Sequence, residues 1–374
     1  MERRHDLDAL RGLMLVLMTF THLPTRFADP LGQPFGFVSA AEGFVILSGF
    51  MAGMVYGRRG RRDGPPTMRR ALLRRALTLY GYQAALLLFL FTVVASLGAH
   101  WQHDAVTDLL SFYHLRPKAA LAGSLVLLYN PPLLDILPLY IVFLLASPVL
   151  MSQGLRQGWG VILAASIALW LAAQLDLGHA LYAAVSALAH VPVPFDQTGA
   201  FELFAWQFLW VLGLWLGASS TEPGGLHVEF PRWLVVLAAC IALTGLVWRH
   251  AVGQVPWPGH ESLNHAFDKW HLGGLRLINF FALMTLLMRF APWLTRHLPR
   301  LRALEILGAA SLPVFCAHLV IALLLLARFG AGPHALELDL AILAVAFAAL
   351  WAVALASLAL RSQRQAPPVA IQRR

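Results

Sequence analysis

The chain has 374 residues, 59% of them hydrophobic and only 13% charged, with a net charge of +9 and a mean hydropathy of +0.66. That balance excludes an ordinary soluble domain and makes a lipid bilayer the expected solvent. A nucleic-acid-binding face is excluded as well, because the basic residues gather in loops on one side of the predicted spans instead of along one surface.

Apolar runs long enough to cross a hydrocarbon core of roughly 30 Å recur at 7–24, 36–56, 76–98, 133–152, 159–175, 201–218, 233–249, 273–290, 305–327 and 338–360. They predict an all-α transmembrane bundle of ten spans, a single domain over 1–361, followed by a basic, disordered tail at 362–374. The first run continues for a full span with no small-residue cleavage site at its end, so it is expected to remain as the first helix. Twenty basic positions fall on the side of the termini, eight of them between Arg58 and Arg75, against seven on the other side. Both termini are therefore expected in the cytoplasm. The opposite loops, 99–132, 176–200 and 250–272, are rich in Trp, His, Tyr and Pro. Aromatic faces there suit either sugar rings or the interfacial belt of a membrane protein. Cys240 and Cys316 lie in apolar runs, so no disulfide framework is expected, and His and Cys show no metal-site spacing.

Charged groups inside spans are costly and normally face a protein interior or a water-filled cavity, which makes them candidates for function. Span one carries Asp8, Arg11 and His22. The eleven steps from Arg11 to His22 make three turns plus about 20°, with a rise near 16 Å. Both groups thus share one face at different depths, and Asp8 can hold the guanidinium from three residues away. The bland reading is that Arg11 snorkels to the interface and His22 caps the helix end. Span two brings Glu42 to the depth of His22, where a carboxylate can fix the imidazole tautomer of a general base. It also carries Ser48, and Gly43, Gly49 and Gly53 form a thin face for close packing or ligand approach. Asp135 on span four, Glu202 and Gln207 on span six, Arg276 and Asn279 on span eight and His318 on span nine all fall in the outer half. The inner half holds little beyond Asp8, Arg11, Ser48, Glu305 and Ser311. The pattern predicts a polar chamber opening outwards and a narrower polar track along span one, although packing polarity alone produces a similar asymmetry.

The Arg11 and His22 pair resembles the first-helix motif of the acyltransferase 3 superfamily, and Ser48-Gly49-Phe50 is similar to its second-helix Ser-Gly-Phe. The chain resembles the OpgC family more closely, in Asp8 to His22, Ala40-Ala41-Glu42, Asp135 to Tyr140, Phe204-Ala-Trp206-Gln207, Asp268-Lys269 followed by Arg276, and Ser311 to Cys316. It departs from the superfamily pattern at Gly43-Phe44-Val45-Ile46, where aromatic pairs are common, and in having Glu202 where Asn is expected. The resemblance implies a bacterial inner-membrane enzyme that moves succinyl groups from cytoplasmic succinyl-CoA onto osmoregulated periplasmic glucans, with acyl-CoA as co-substrate and no bound cofactor. An acetyl donor is the alternative acyl group.

Under that reading the nucleotide end of the donor stays near the cytoplasmic arginines while its pantetheine arm threads between spans, since phosphates cannot cross hydrocarbon. Asp8, Arg11, Ser48 and Arg276 are the expected donor-binding residues. His22 is the expected general base, with Glu42 orienting it, and His318 or Asn279 donates to the oxyanion. Asp135, Trp206, Gln207, Lys269 and Asn279 are the expected acceptor contacts, and Arg276 or Lys269 is the natural partner of a distal succinyl carboxylate. An acyl-enzyme on His22 or Ser48 is less favoured, because no activated nucleophile is visible beside a base. A transporter or flippase for a glycan or related anion is the rival class, and a membrane scaffold without chemistry is a third.

Overall fold

The computed structural model describes residues 4–101, 103–225 and 228–365, which are mostly helical with no strand among them. The helices that position the site are α1 (His5–His22), α2 (Ala40–Asp63), α3 (Pro65–Trp101, with a π-helical turn at Leu90–Val94), α4 (Ile136–Gln157), α5 (Gly160–Ala173), α6 (Leu177–Ala189), α7 (Leu203–Ser219), α8 (Arg232–Val252), α9 (Gly274–His297), α10 (Arg302–Ala309), α11 (Ser311–Phe329) and α12 (Leu336–Gln365). Short helical segments, among them Asp104–Leu109, Ser111–Leu115, Pro117–Leu125 and Glu261–His265, fill the predicted aromatic loops.

Local chemistry explains several boundaries. α1 opens with Asp6 and Asp8 in its first turn, where carboxylates favour the positive end of the helix dipole. α2 starts on a reciprocal cap: the Ser39 hydroxyl sits by the Ala41 amide while the Glu42 carboxylate takes the Ser39 N–H at 3.0 Å. The arginine-rich stretch expected as a loop at 57–75 is instead two helix ends joined at one residue. Gly64 has φ +82, open to glycine at little cost, and Pro65 and Pro66 begin the next helix without needing their missing donors. Span nine divides: α10 ends at Ala309 and α11 begins at Ser311. Residues 366–374, most of the expected tail, lie outside the described residues, and α12 continues through Gln365.

Glycines set the two tightest crossings. A Cβ on Gly53 would overlap the Leu214 carbonyl and one on Gly217 would overlap that of Phe50, so α2 and α7 meet backbone to backbone. α1 and α10 meet in the same manner through Gly12 against Leu304 and Gly308 against Asp8. The largest core cluster surrounds these seams and includes Met18, Val45, Leu209, Trp210, Leu214 and Leu319.

Among the described residues seven helices are long and apolar enough to cross a membrane, α2, α3, α4, α8, α9, α11 and α12, and α5 with α6 makes an eighth if the pair, bent by 79°, counts as one span. The first and sixth predicted spans correspond to α1, which carries Asp6, Asp8 and Arg11, and to α7, which has 17 residues. These two are more polar or shorter than the rest.

Candidate active site

Arg11 and His22 bond to the same neighbour. The Arg11 guanidinium donates to the hydroxyl of Ser311, the first residue of α11, and His22 Nδ1 lies 2.9 Å from His318 Nε2 further along that helix. The two imidazoles lie nearly parallel, 12° apart in plane with centroids 5.2 Å apart. One face of α1 therefore runs along α11 from a guanidinium to a histidine pair, as eleven residues of α-helix require. Thr19, one turn before His22, is buried and its hydroxyl donates to the Leu15 carbonyl at 2.8 Å, as a lone polar group in an apolar seam must.

A cavity of about 220 Å³ opens at the Arg11 end, lined by Arg11, Ser48, Tyr56, Arg75, Tyr140 and Ser311 with Phe44, Trp210 and Phe315 among its apolar walls. The nearest carboxylate oxygen to Arg11 in an ion pair is that of Asp8, at 3.8 Å, and Arg11 Nε is buried with no hydrogen-bond partner. Phe315 separates this cavity from the histidines: it lines the cavity, stacks on Phe44 with centroids 5.8 Å apart, and meets the His318 ring edge-on at 4.9 Å.

Glu42 does not orient His22. Its Oε1 accepts from Arg276 Nε, and its Oε2 takes the Ser39 hydroxyl at 2.6 Å and the Ser39 N–H at 3.0 Å. Glu42 and Arg276 are both buried, so the pair is a sealed cross-link between the start of α2 and the start of α9. The ring that His22 meets is His318, at 2.9 Å between Nδ1 and Nε2. The reason is rotational: equal depth in the membrane says nothing about which way a side chain points around its helix axis.

Several expected acceptor contacts are already used for packing. Trp206 is fully buried and donates to the Trp270 carbonyl at 3.0 Å. The Gln207 amide accepts from Ser166 Oγ at 2.7 Å and donates to the Ser166 and Phe204 carbonyls at 2.8 and 2.9 Å, tying α7 to α5. Asn279 accepts the Phe37 N–H at 3.0 Å and is wedged against Gly36 and Gly245. Asp135 accepts the Ala200 N–H at 3.1 Å. Glu202 caps α7, with the Ala205 N–H at 2.5 Å.

Lys269 stands apart. It forms no ion pair or hydrogen bond among the described residues; its ammonium lies 4.5 Å from the Trp270 ring centroid and 5.8 Å from that of Phe201. It is close enough to Glu42, Asp135, Asp268 and Arg276 to interact with them electrostatically, and its charge also acts on His22. Burial pushes the Lys269 ammonium below its ordinary pKa, with the nearby carboxylates opposing. On the same loop, His271 Nδ1 lies 2.8 Å from Asp268 Oδ2. That bond holds the imidazole above its ordinary 6.5. Asp268 is pushed up by burial and down by the His271 contacts, which prevail.

Ser311, Arg75, Tyr56 and Tyr140 complete the Arg11 cavity although none was among the expected donor contacts. The arginine was legible only as a topology signal, since its role depends on α3 returning against α1. Ser39 had a readable signal, the Ser-x-x-Glu capping pattern ending at Glu42.

A polytopic helical membrane protein with a partly buried histidine pair on one seam and a basic cavity along it is the class this arrangement defines. The sequence profile of the OpgC protein family matches residues 3–362, essentially the whole chain, and the chain belongs to that family. Membership implies a transferase. No curated protein and no solved structure matches the chain.

Proposed function

We propose that this chain is a multi-pass inner-membrane O-acyltransferase of ten spans, with both termini cytoplasmic, that moves a succinyl group from succinyl-CoA to hydroxyls of a periplasmic glucan. The count of ten takes α1 and α7 as crossing helices and α5 with α6 as one bent span. The observation that carries the reading is the shared α1–α11 seam, with Arg11 on Ser311 and His22 on His318.

The donor arm is held at the Arg11 cavity, whose guanidiniums and hydroxyls suit the polar groups of pantetheine and its phosphates. The arm moves past Phe44 and Phe315 and brings the thioester to His22. With its Nδ1–H donated to His318 Nε2, His22 keeps an unprotonated Nε2 for use as a base. The acceptor oxygen attacks the thioester carbon, a C–O bond forms, and His22 takes the hydroxyl proton. Collapse of the tetrahedral intermediate breaks the C–S bond, and the proton passes from His22 to the departing thiolate, leaving the ester and free CoA. His318, as acceptor, stabilises the imidazolium between these steps.

The test uses purified protein in liposomes, supplied with succinyl-CoA on one side and glucan on the other, with free CoA and glucan mass as readouts. His22→Ala is expected to lower transfer by about 10²- to 10⁴-fold, the usual contribution of a general base, while the protein still inserts and folds. Wild-type rates in that variant would remove His22 from the chemistry.

A further inference from the structure

The loop 266–273 is built more rigidly than a connection between α8 and α9 requires. The carbonyls of three consecutive residues are all taken by the bundle, one by the start of α7 and two by the end of α5: Trp270 by Trp206 Nε1 at 3.0 Å and the Glu202 N–H at 3.0 Å, His271 by Gln174 Nε2 at 2.7 Å, and Leu272 by Trp170 Nε1 at 3.0 Å. Leu272 is fully buried with φ +53, a left-handed conformation that a leucine holds only when its surroundings over-determine it. A side chain at Gly273 would overlap the carbonyls of His265 and Ala266, so the turn is closed on both sides. Asp268 clamps the middle, accepting the His271 N–H at 2.7 Å. The side chain this frame presents without a polar partner is Lys269, cradled by Trp270 and Phe201.

The charge of the other cation of the region is already matched. Arg276 Nε is bound to Glu42, Nη1 points to the Phe267 carbonyl at 3.5 Å, and the pair is sealed from solvent, with Nη2 the one guanidinium nitrogen left unpartnered among the described residues. Lys269 is the cation left without a bonded anion, and its field reaches His22. An acyl-CoA arm arriving from the Arg11 end carries its acyl group foremost, so a terminal carboxylate lies beyond the thioester, on the far side of His22. We propose that Lys269 is the specificity-determining residue that receives the terminal carboxylate of a dicarboxylic acyl group, with Arg276 serving Glu42 instead. This rests on the acyltransferase reading above, and it names which residue reads the acyl chain.

The experiment compares succinyl-CoA with butyryl-CoA, a donor of equal chain length lacking the terminal charge, in liposomes holding wild type, Lys269→Gln or Lys269→Arg. Wild type is expected to prefer the succinyl donor, and Lys269→Gln to lose roughly 10- to 100-fold in succinyl transfer, the range for one charge-assisted hydrogen bond. Butyryl transfer should fall far less, and Lys269→Arg should restore part of the succinyl preference. Equal losses for both donors, or a succinyl preference that survives Lys269→Gln, would overturn the assignment while leaving the enzyme an acyltransferase. No transfer from either donor by wild type would instead sink the acyltransferase reading together with the assignment.

Discussion

Around Arg11 the protein leaves a charge slack: the side chain is one-fifth exposed, its carboxylate partner stands 3.8 Å off, and a cavity lined by a second arginine lies against it. Around Arg276 the charge is compensated directly, since the carboxylate contact is close, Ser39 occupies the other carboxylate oxygen and both side chains are at most 2% exposed, leaving only Nη2 of the guanidinium without a hydrogen-bond partner among the described residues. Two arginines inside one membrane protein therefore differ in kind. A guanidinium neutralised by a sealed carboxylate cross-links helices, whereas one on a cavity wall with loose compensation is available to a ligand.

The sharpest way to break the comparison is at Glu42. Removing one partner of a buried pair costs about 3–5 kcal/mol because the other is stranded, so Glu42→Ala is expected to lose folded protein in detergent, measured by thermal unfolding and gel filtration. Replacing both residues, Glu42→Leu with Arg276→Leu, should recover much of that loss. A Glu42→Ala variant that folds normally yet turns over slowly would return Glu42 to the chemistry and erase the contrast.

At the slack end the expected effects are smaller and fall on binding. Ser311→Ala removes one charged hydrogen bond, about 1.5–3 kcal/mol at most, and should raise the KM for the acyl donor with little change in thermal stability. An equal loss of folded protein would mean that Arg11 is as structural as Arg276.

The smallest expected effect is a pH dependence at the loop that carries Lys269. His271 gains a carboxylate partner on folding, so its folded pKa lies above its unfolded value near 6.5. Its contribution to stability is then complete below about pH 6.5 and disappears as pH rises through the raised value. Asp268, Asp176 and Glu202 face it and carry the opposing charge. Wild type should therefore melt above His271→Gln in mildly acidic buffer and converge with it at alkaline pH; a constant difference across the range would assign His271 a pH-independent packing role.

Much of this is readable along the chain. The stripe joining Arg11 to His22 follows from helix geometry alone, and both residues do meet one helix. Other polar residues mislead because sequence position does not show whether a polar group is already satisfied. Gln207 looks like a ligand contact in an apolar run, yet backbone carbonyls and a serine occupy it. The arginines at 58–75 read as a loop until Gly64 and Pro65 turn them into the ends of a helical hairpin.

What the sequence determined by itself was the solvent, the helical class, and the depth of each polar residue, because hydrocarbon demands long apolar helices and the rise per residue is constant. Which polar groups meet was left to the tertiary structure. Pairing Glu42 with Arg276 rather than His22, and bringing Arg75 and Tyr140 to Arg11, depends on how each helix is rotated about its axis. That rotation comes from packing between distant segments, such as the glycine seam between α2 and α7.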